Sequence, residues 1–142
     1  MSLHETPMTR WYWRKVGGTL VEEFPAVPPG KGRGQRLIDG IIIRGGRRKI
    51  ARADQVSLEG KDIIVIQTKA ARLGMYLMGQ AFFSARLMER FRPRSIVSVA
   101  LVRESDSVLE PLFQEYPNMK VVVCPASRGL TSRSTRRAKA RG

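Results

Sequence analysis

Short apolar runs, separated by glycine, proline and charged residues, divide the chain into alternating helices and strands. The pattern predicts a first helix that begins at Thr6-Pro7 and is interrupted at Gly17-Gly18. The TLVEEF segment that follows is predicted to be a short helix capped by its threonine, or a continuation of the first helix. The PAVPPGKGRG segment after it has the composition of a loop.

The middle of the chain is typical of strands. The first predicted strand spans residues 35–43, in QRLIDGIII, and glycines end it. Residues 49–69 are predicted to form a hairpin, with Glu59-Gly60 near the turn and a more apolar second strand over 62–68.

The last third alternates helix and strand. Residues 70–91 lack proline and predict a helix that is apolar on most sides and packs on the sheet. Its large apolar residues are predicted to be core: Met75, Tyr76, Met78, Phe82 and Phe83. A strand in SIVSVALV, a short helix or turn in SVLEPLFQEY and a last strand in MKVVVC follow. This order predicts an α/β sandwich with a mixed sheet, in a single domain over residues 1–124.

Two polar residues, Gln67 and Lys69, lie at the end of the most apolar strand. In a hairpin centred on Glu59-Gly60, Asp54 would oppose Val65 and Arg52 would oppose Gln67. Because side chains alternate along a strand, Asp54, Gln67 and Lys69 are predicted to share one face.

Further acids are candidates for the same cluster. Asp39 lies on the preceding strand, and Glu22 or Glu23 lies before it. Oxygen ligands of this kind bind divalent cations, and a lysine beside them can assist an attacking water. Taken singly, Asp39-Gly40 also fits a turn, and Lys69 also fits an exposed strand end.

The charge of the chain indicates a polyanionic partner. Its 26 basic and 12 acidic residues give a formal charge of +14, so nucleic acid is the expected partner. Residues 125–142 contain six basic residues and no acid, and are predicted to be a disordered tail. The candidate nucleic-acid-binding residues outside the tail are Lys31, Arg33, Arg36, Arg44, Arg47, Arg48, Lys49 and Arg72.

Other classes of protein fit the sequence less well. No apolar run approaches the roughly 18 residues of a membrane span, and no secretory leader begins the chain, so a soluble protein is expected. A single cysteine, Cys124, fits a buried position in a protein of the reducing cytoplasm. The only histidine, His4, rules out a histidine-rich zinc site.

The segments RLIDG, residues 36–40, and IQTK, residues 66–69, with the element order, resemble the PD-(D/E)XK nuclease superfamily. The resemblance covers about residues 10–103 and implies a restriction endonuclease-like, three-layer α/β/α fold. It also implies a metal-dependent endonuclease that hydrolyses phosphodiester bonds in DNA with Mg²⁺ or Mn²⁺.

The resemblance also assigns roles to individual residues. Asp39 matches the metal-binding aspartate, with Asp54 as a competitor, and Lys69 matches the lysine that orients the attacking water. Glu23, or Glu22 beside it, resembles the glutamate that many members carry on a helix, and Gln80 resembles a glutamine that some subfamilies place beside the site. The chain departs from the motif at Gln67, where most members have an acid, and at Ile38, where the motif has proline.

Two other functions remain open at this stage. A nucleic-acid-binding protein that has lost cleavage would explain Gln67, and a docking module of a larger nucleoprotein assembly would explain the tail and the short length. A homodimer or a partner protein is compatible with either function. The sequence does not distinguish DNA from RNA.

Overall fold

The computed structural model describes residues 3–126. Its helices and strands, in chain order, are α1 Glu5–Val16, β1 Thr19–Val27, β2 Arg36–Ile43, β3 Lys49–Ala51, β4 Asp62–Arg72, α2 Met75–Met88, β5 Ser95–Glu104, α3 Leu109–Gln114 and β6 Met119–Val123. The predicted basic tail lies almost wholly outside the described residues, including all of its charges at Arg128, Arg133, Arg136, Arg137, Lys139 and Arg141.

The six strands form one mixed sheet in the order β3-β1-β2-β4-β5-β6. Strand β2 is antiparallel to both of its neighbours, β1 and β4. Strands β5 and β6 follow β4 in the sheet and are parallel to it. The short β3 pairs parallel with β1 at the edge. The predicted α/β class with a mixed sheet is therefore confirmed.

Apolar side chains cover both faces of the sheet. On one face, Met8 of α1 packs with Leu20, Ile42 and Ile66 of the central strands. On the other face, α2 and α3 pack on β5 and β6, and Met88 of α2 also reaches β4. Burial on both faces explains why β2 and β4 read as nearly continuous apolar runs.

The TLVEEF segment is a strand, so the prediction of a helix there was wrong. Gly18 has φ of 81°, and a Cβ at this position would lie 2.4 Å from the carbonyl oxygen of Ile43. The chain therefore turns sharply after α1, and residues 19–21 pair with residues 41–43 of β2. Pairing with the strongly apolar β2 makes this segment a strand, and the local sequence pattern does not show that pairing.

The predicted hairpin over residues 49–69 was also wrong. Strand β4 lies between β2 and β5 and does not pair with β3. Strand β3 lies at the edge of the sheet and pairs with β1. Asp54 does not face Val65, and Arg52 does not face Gln67. Asp54 lies instead in a 3-10 turn over Ala53–Gln55, exposed and ion-paired with Arg52 at 3.1 Å.

Helix α2 begins later than predicted because β4 continues to Arg72. The helix ends at Met88, and a 3-10 turn completes the segment to Phe91. Three of its predicted core residues are exposed, since Met75, Tyr76 and Phe83 keep 73%, 83% and 65% of their surface accessible. Met78 and Phe82 pack partly against the core, as predicted.

Candidate active site where β2 and β4 diverge

The ladder between β2 and β4 stops in the middle of both strands. It runs from Ile43 and Ile63 to Gly40 and Ile66, and beyond this pair the strands separate. At the separation, Oδ2 of Asp39 accepts a hydrogen bond of 2.8 Å from the backbone N–H of Thr68. A carboxylate thus replaces the main-chain acceptor that a continuing β2 would have offered.

Small and hydroxylated residues bring α1 against this point. A Cβ on Gly40 would lie 3.0 Å from the methyl group of Thr9, so glycine permits the close approach of helix and strand. The buried hydroxyl groups of Thr9 and Thr68 are hydrogen-bonded at 2.8 Å. The N-terminal end of α1, with Glu5, is thereby fixed beside Asp39.

A cavity of about 450 Å³ opens at the separation, and we call it the β2–β4 cleft. Its walls come from α1, β2, β4 and the start of α2. They include Glu5, Leu37, Asp39, Gln67, Thr68, Lys69, Arg72, Tyr76 and Gln80. The structure thus brings together four of the five candidate catalytic residues, which are Asp39, Gln67, Lys69 and Gln80.

Asp39 is largely buried among other acids. Burial, and to a smaller extent the negative charges of Glu5 and Glu23, raise its pKa to about 6. The hydrogen bond from Thr68 acts in the opposite direction and does not offset these two effects. At neutral pH the cleft therefore holds a carboxylate whose charge is only partly compensated by the protein.

Gln67 is 7% exposed and is held by α2. Its side-chain amide nitrogen donates a hydrogen bond of 2.6 Å to Oγ of Ser84. The other polar atom of the Gln67 side chain is its carbonyl oxygen, and Gln67 lines the cleft. This contact satisfies the polar side chain inside an apolar strand, which explains how Gln67 is tolerated there.

Lys69 is exposed, two residues further along β4. Alternation along the strand puts it on the same face as Gln67, at the open side of the cleft. Arg72 also lines the cleft and pairs with Glu104 at 2.9 Å. Gln80 enters from α2, one turn before Ser84.

The alternative acids occupy different surroundings. Glu22 forms a two-bond ion pair with Arg10, with both distances 2.9 Å, and thereby joins β1 to α1. Glu23 has φ of 51°, in the left-handed region, and its charge acts on Asp39. Of the two neighbours, only Glu23 acts on Asp39 through its charge, although it does not line the cleft, whereas Glu22 is ion-paired with Arg10. Asp54 does not line the cleft.

The candidate nucleic-acid-binding residues separate into two groups. Lys31, Arg33 and Arg36 lie in or beside the β1–β2 loop, at the cleft end of β2. Arg44, Arg47, Arg48 and Lys49 follow the opposite end of β2, which we call the far end of the sheet. The backbone N–H of Arg44 donates to Asp62, the first residue of β4, so the far end lies about 20 Å from Lys69.

The oxygen atoms of the cleft are of the type that hard divalent cations bind. Asp39, Glu5 and the Gln67 carbonyl supply carboxylate and amide oxygens, and the raised pKa of Asp39 marks negative charge that a cation would offset. Among residues 3–126, no group of three or more Cys, His, Asp and Glu side chains is arranged to hold a metal ion. Asp39, Glu5 and Glu23 therefore do not form such a group, and the candidate ligands are Asp39, one further acid and the Gln67 carbonyl.

Glu5 and Tyr76 line the cleft but were not identified as site residues from the sequence. Glu5, at the start of α1, is the only acid of that helix, and the sequence pattern predicts a core position for Tyr76, which is 83% exposed. An acid immediately before Thr6-Pro7 was a detectable signal, but it fell outside the segment that carries the resemblance. The exposure of Tyr76 depends on the late start of α2.

Comparisons of the chain with models of known protein families, with curated proteins and with solved structures found no match. Across the described residues, none of the helices has both the length and the apolar character that crossing a bilayer requires.

Proposed function

We propose that the protein is a metal-dependent nuclease that hydrolyses phosphodiester bonds in DNA. The observation that carries the proposal is the convergence of Asp39, Gln67 and Lys69 on one cleft, at the point where two central strands separate. The charge of +14 supports a polyanionic substrate.

In this proposal Asp39, the Gln67 carbonyl and an acid from Glu5 or Glu23 would hold Mg²⁺ or Mn²⁺. When bound, the cation supplies positive charge that acidifies an attacking water and offsets charge on the scissile phosphate. Lys69 orients the water and adds positive charge beside the phosphate. Lys31, Arg33 and Arg36 contact the flanking backbone, and such contacts carry little sequence information.

The order of elements supports the same proposal. Along the chain, α1, β1, β2, β4, α2 and β5 match the succession of a helix, three strands, a helix and a strand in PD-(D/E)XK nucleases. We therefore infer a restriction endonuclease-like fold, to which β3, α3 and β6 are additions. Because TLVEEF is a strand, Glu5 of α1 becomes the stronger candidate for the helix glutamate of that superfamily.

The test is cleavage of supercoiled, linear and single-stranded DNA by the purified protein with Mg²⁺ or Mn²⁺, against EDTA. We expect cutting that depends on metal and is lost in Lys69→Ala and Asp39→Ala, with Asp54→Ala as the matched control that retains it. Tight DNA binding without cleavage in the presence of either metal would refute the proposed nuclease activity.

One observation favours a second candidate, a binding-only protein with a nuclease-like fold. Gln67 replaces the acid at the centre of the motif, and its amide is engaged by Ser84. A neutral donor weakens cation binding relative to a carboxylate. Calorimetry with Mg²⁺ or Mn²⁺ in the absence of DNA separates the two candidates, because only the nuclease requires a cation site that Asp39→Asn removes.

A further inference from the structure

We infer that the exposed aromatic side chains of α2 form a stacking site for unpaired bases beside the β2–β4 cleft. The inference rests on the proposed function and specifies its substrate: DNA with a single-stranded segment next to the scissile phosphate. It concerns Tyr76 and Phe83, which the nuclease mechanism does not use.

Tyr76 and Phe83 face the same groove. They lie seven residues apart on α2, which places them two turns, about 10 Å, apart on one side of the helix. Both line a groove of about 430 Å³ between α2 and the start of β2, which we call the α2 groove. The ring of Phe83 packs edge-on against Phe82, with centroids 5.4 Å apart, so its position is restricted.

The α2 groove is continuous with the cleft. Leu37, Gln67, Tyr76 and Gln80 line both cavities. A strand whose phosphate lies near Lys69 would therefore bring its adjoining bases to Tyr76 and Phe83. Base stacking on aromatic rings is a general mode of single-strand binding and tolerates any base sequence.

The charges around the groove favour nucleic acid over a second copy of the chain. Arg36 lines the groove, is exposed, and has no ion-pair partner among the described residues. A symmetric contact through this face would bring the Arg36 side chains of two chains, each with a charge of +14, close together. A phosphate backbone instead provides the matching charge, while the bases cover the exposed rings.

The experiment measures binding without metal, so that it is independent of cleavage. Fluorescence anisotropy in EDTA would give the Kd for a labelled single-stranded oligonucleotide, for the same sequence as a duplex, and for an abasic strand of equal length. The variants are Tyr76→Ala and Phe83→Ala. Tyr116→Ala is the matched control, because Tyr116 is 52% exposed and packs edge-on against Phe82 as Phe83 does, but lines a different cavity.

For each groove variant we expect the single-strand Kd to rise about 5- to 150-fold, the range for loss of one stacked base. The duplex Kd should stay within about twofold, since phosphate contacts are unchanged. The wild type should bind the abasic strand at least as weakly as either variant binds the intact single strand, because the abasic strand loses both stacking contacts. Tyr116→Ala should bind like the wild type.

Equal loss of single-strand and duplex binding, or no loss at all, would overturn the stacking site. So would sedimentation showing that Tyr76→Ala converts a dimer into a monomer, because the groove would then be an interface between copies. If the wild type does not cut DNA but still binds single strands more tightly than duplex, the proposed nuclease activity is refuted and the stacking site is supported. Lys69→Ala, which should not cut in either case, is the negative control for cleavage.

Discussion

Asp39 and Asp62, at opposite ends of the sheet, differ in how the protein treats a carboxylate. Asp62, at the start of β4, is ion-paired with Arg94 and hydrogen-bonded to Ser95, and these contacts lower its pKa. Asp39, in the cleft, is largely buried near Glu5 and Glu23, and its pKa is raised to about 6. An ionised acid that is paired with a cationic side chain stabilises the fold. An acid that is buried near other acids is stabilised in its ionised form by a bound cation.

Both ends of the sheet carry basic residues without an ion-pair partner in the described part of the chain, such as Arg36 at the cleft end, but only the cleft combines them with a carboxylate placed near other acids. Arg44, Arg47, Arg48 and Lys49 at the far end form no ion pair with any described residue. Arg48 contacts α1, through a hydrogen bond to the carbonyl oxygen of Arg14 and a cation–π contact with Trp13. We therefore expect chemistry at the cleft end and sequence-independent binding at the far end.

Removing the ammonium group at the cleft gives the largest expected difference between the ends. Lys69→Ala should lower the single-turnover rate of DNA cleavage about 10²- to 10³-fold, as loss of a group that stabilises transition-state charge does. Lys49→Ala is the matched far-end control and should cut at the wild-type rate with saturating protein. Equal rates for the two variants would remove the distinction between the ends.

A stability measurement sharpens the contrast between the two aspartates. Between about pH 4 and pH 6, native Asp39 holds a proton that the unfolded chain has released, so stability should fall as the pH rises through this range. Asp39→Asn removes this effect and should raise the free energy of unfolding at pH 8, without metal, by at most about 3 kcal/mol. Urea denaturation at pH 4 and pH 8 gives both values, and the gain should vanish at pH 4.

Asp62→Asn is the control of opposite sign. The lowered pKa of Asp62 means that its ionised form stabilises the fold at neutral pH and that this contribution is lost on acidification. The variant should therefore be less stable than the wild type at pH 8. A loss of stability in Asp39→Asn at pH 8 would contradict the raised pKa.

How far the sequence predicts each region follows from the range of the interactions involved. The strands with continuous apolar runs, 36–43 and 62–69, are recognisable because burial on both faces leaves a local pattern. Asp39, Gln67 and Lys69 follow from those strands. The pairing partners of β1 and β3 cannot be predicted in this way, because they depend on strands that are distant in the sequence. The incorrect prediction that β3 pairs with β4 placed Asp54 in the wrong position.

The arrangement around the cleft was less accessible from the sequence. Glu5 lies near Asp39 because Gly40 and Thr9 let α1 approach the sheet, and no spacing along the chain encodes that proximity. The exposure of Tyr76 and Phe83 likewise contradicts their apolar character. Both cases concern residues whose surroundings are set by packing between distant elements.

Neutralising the far end tests its predicted role in binding. Substituting Arg44, Arg47 and Lys49 together by Gln should weaken DNA binding and lower the slope of log Kd against log salt concentration by about 0.9 for each lost phosphate contact. The cleavage rate with saturating protein should not change. Titrations between 50 and 200 mM salt, roughly the range in which such contacts are resolved, would measure the slope, and an unchanged slope would place the DNA elsewhere.

The smallest expected effect distinguishes the three glutamates near the cleft. Glu22→Gln should cost about 1 kcal/mol or less, because it removes a partly exposed ion pair with Arg10. It should leave the pKa of Asp39 unchanged. Glu5→Gln and Glu23→Gln should each lower that pKa toward its ordinary value, since each removes a negative charge that acts on Asp39.

Carbon-detected NMR of the Asp39 carboxyl group during a pH titration would give the pKa in each variant. Cleavage assays on the same proteins then separate the roles of the two acids. A glutamate that only acts on Asp39 through its charge changes the pH dependence of cutting when neutralised, whereas one that also holds the cation abolishes cutting at every pH. If Glu22→Gln shifted the Asp39 pKa as much as Glu23→Gln, the pairing with Arg10 would not isolate Glu22 from the cleft.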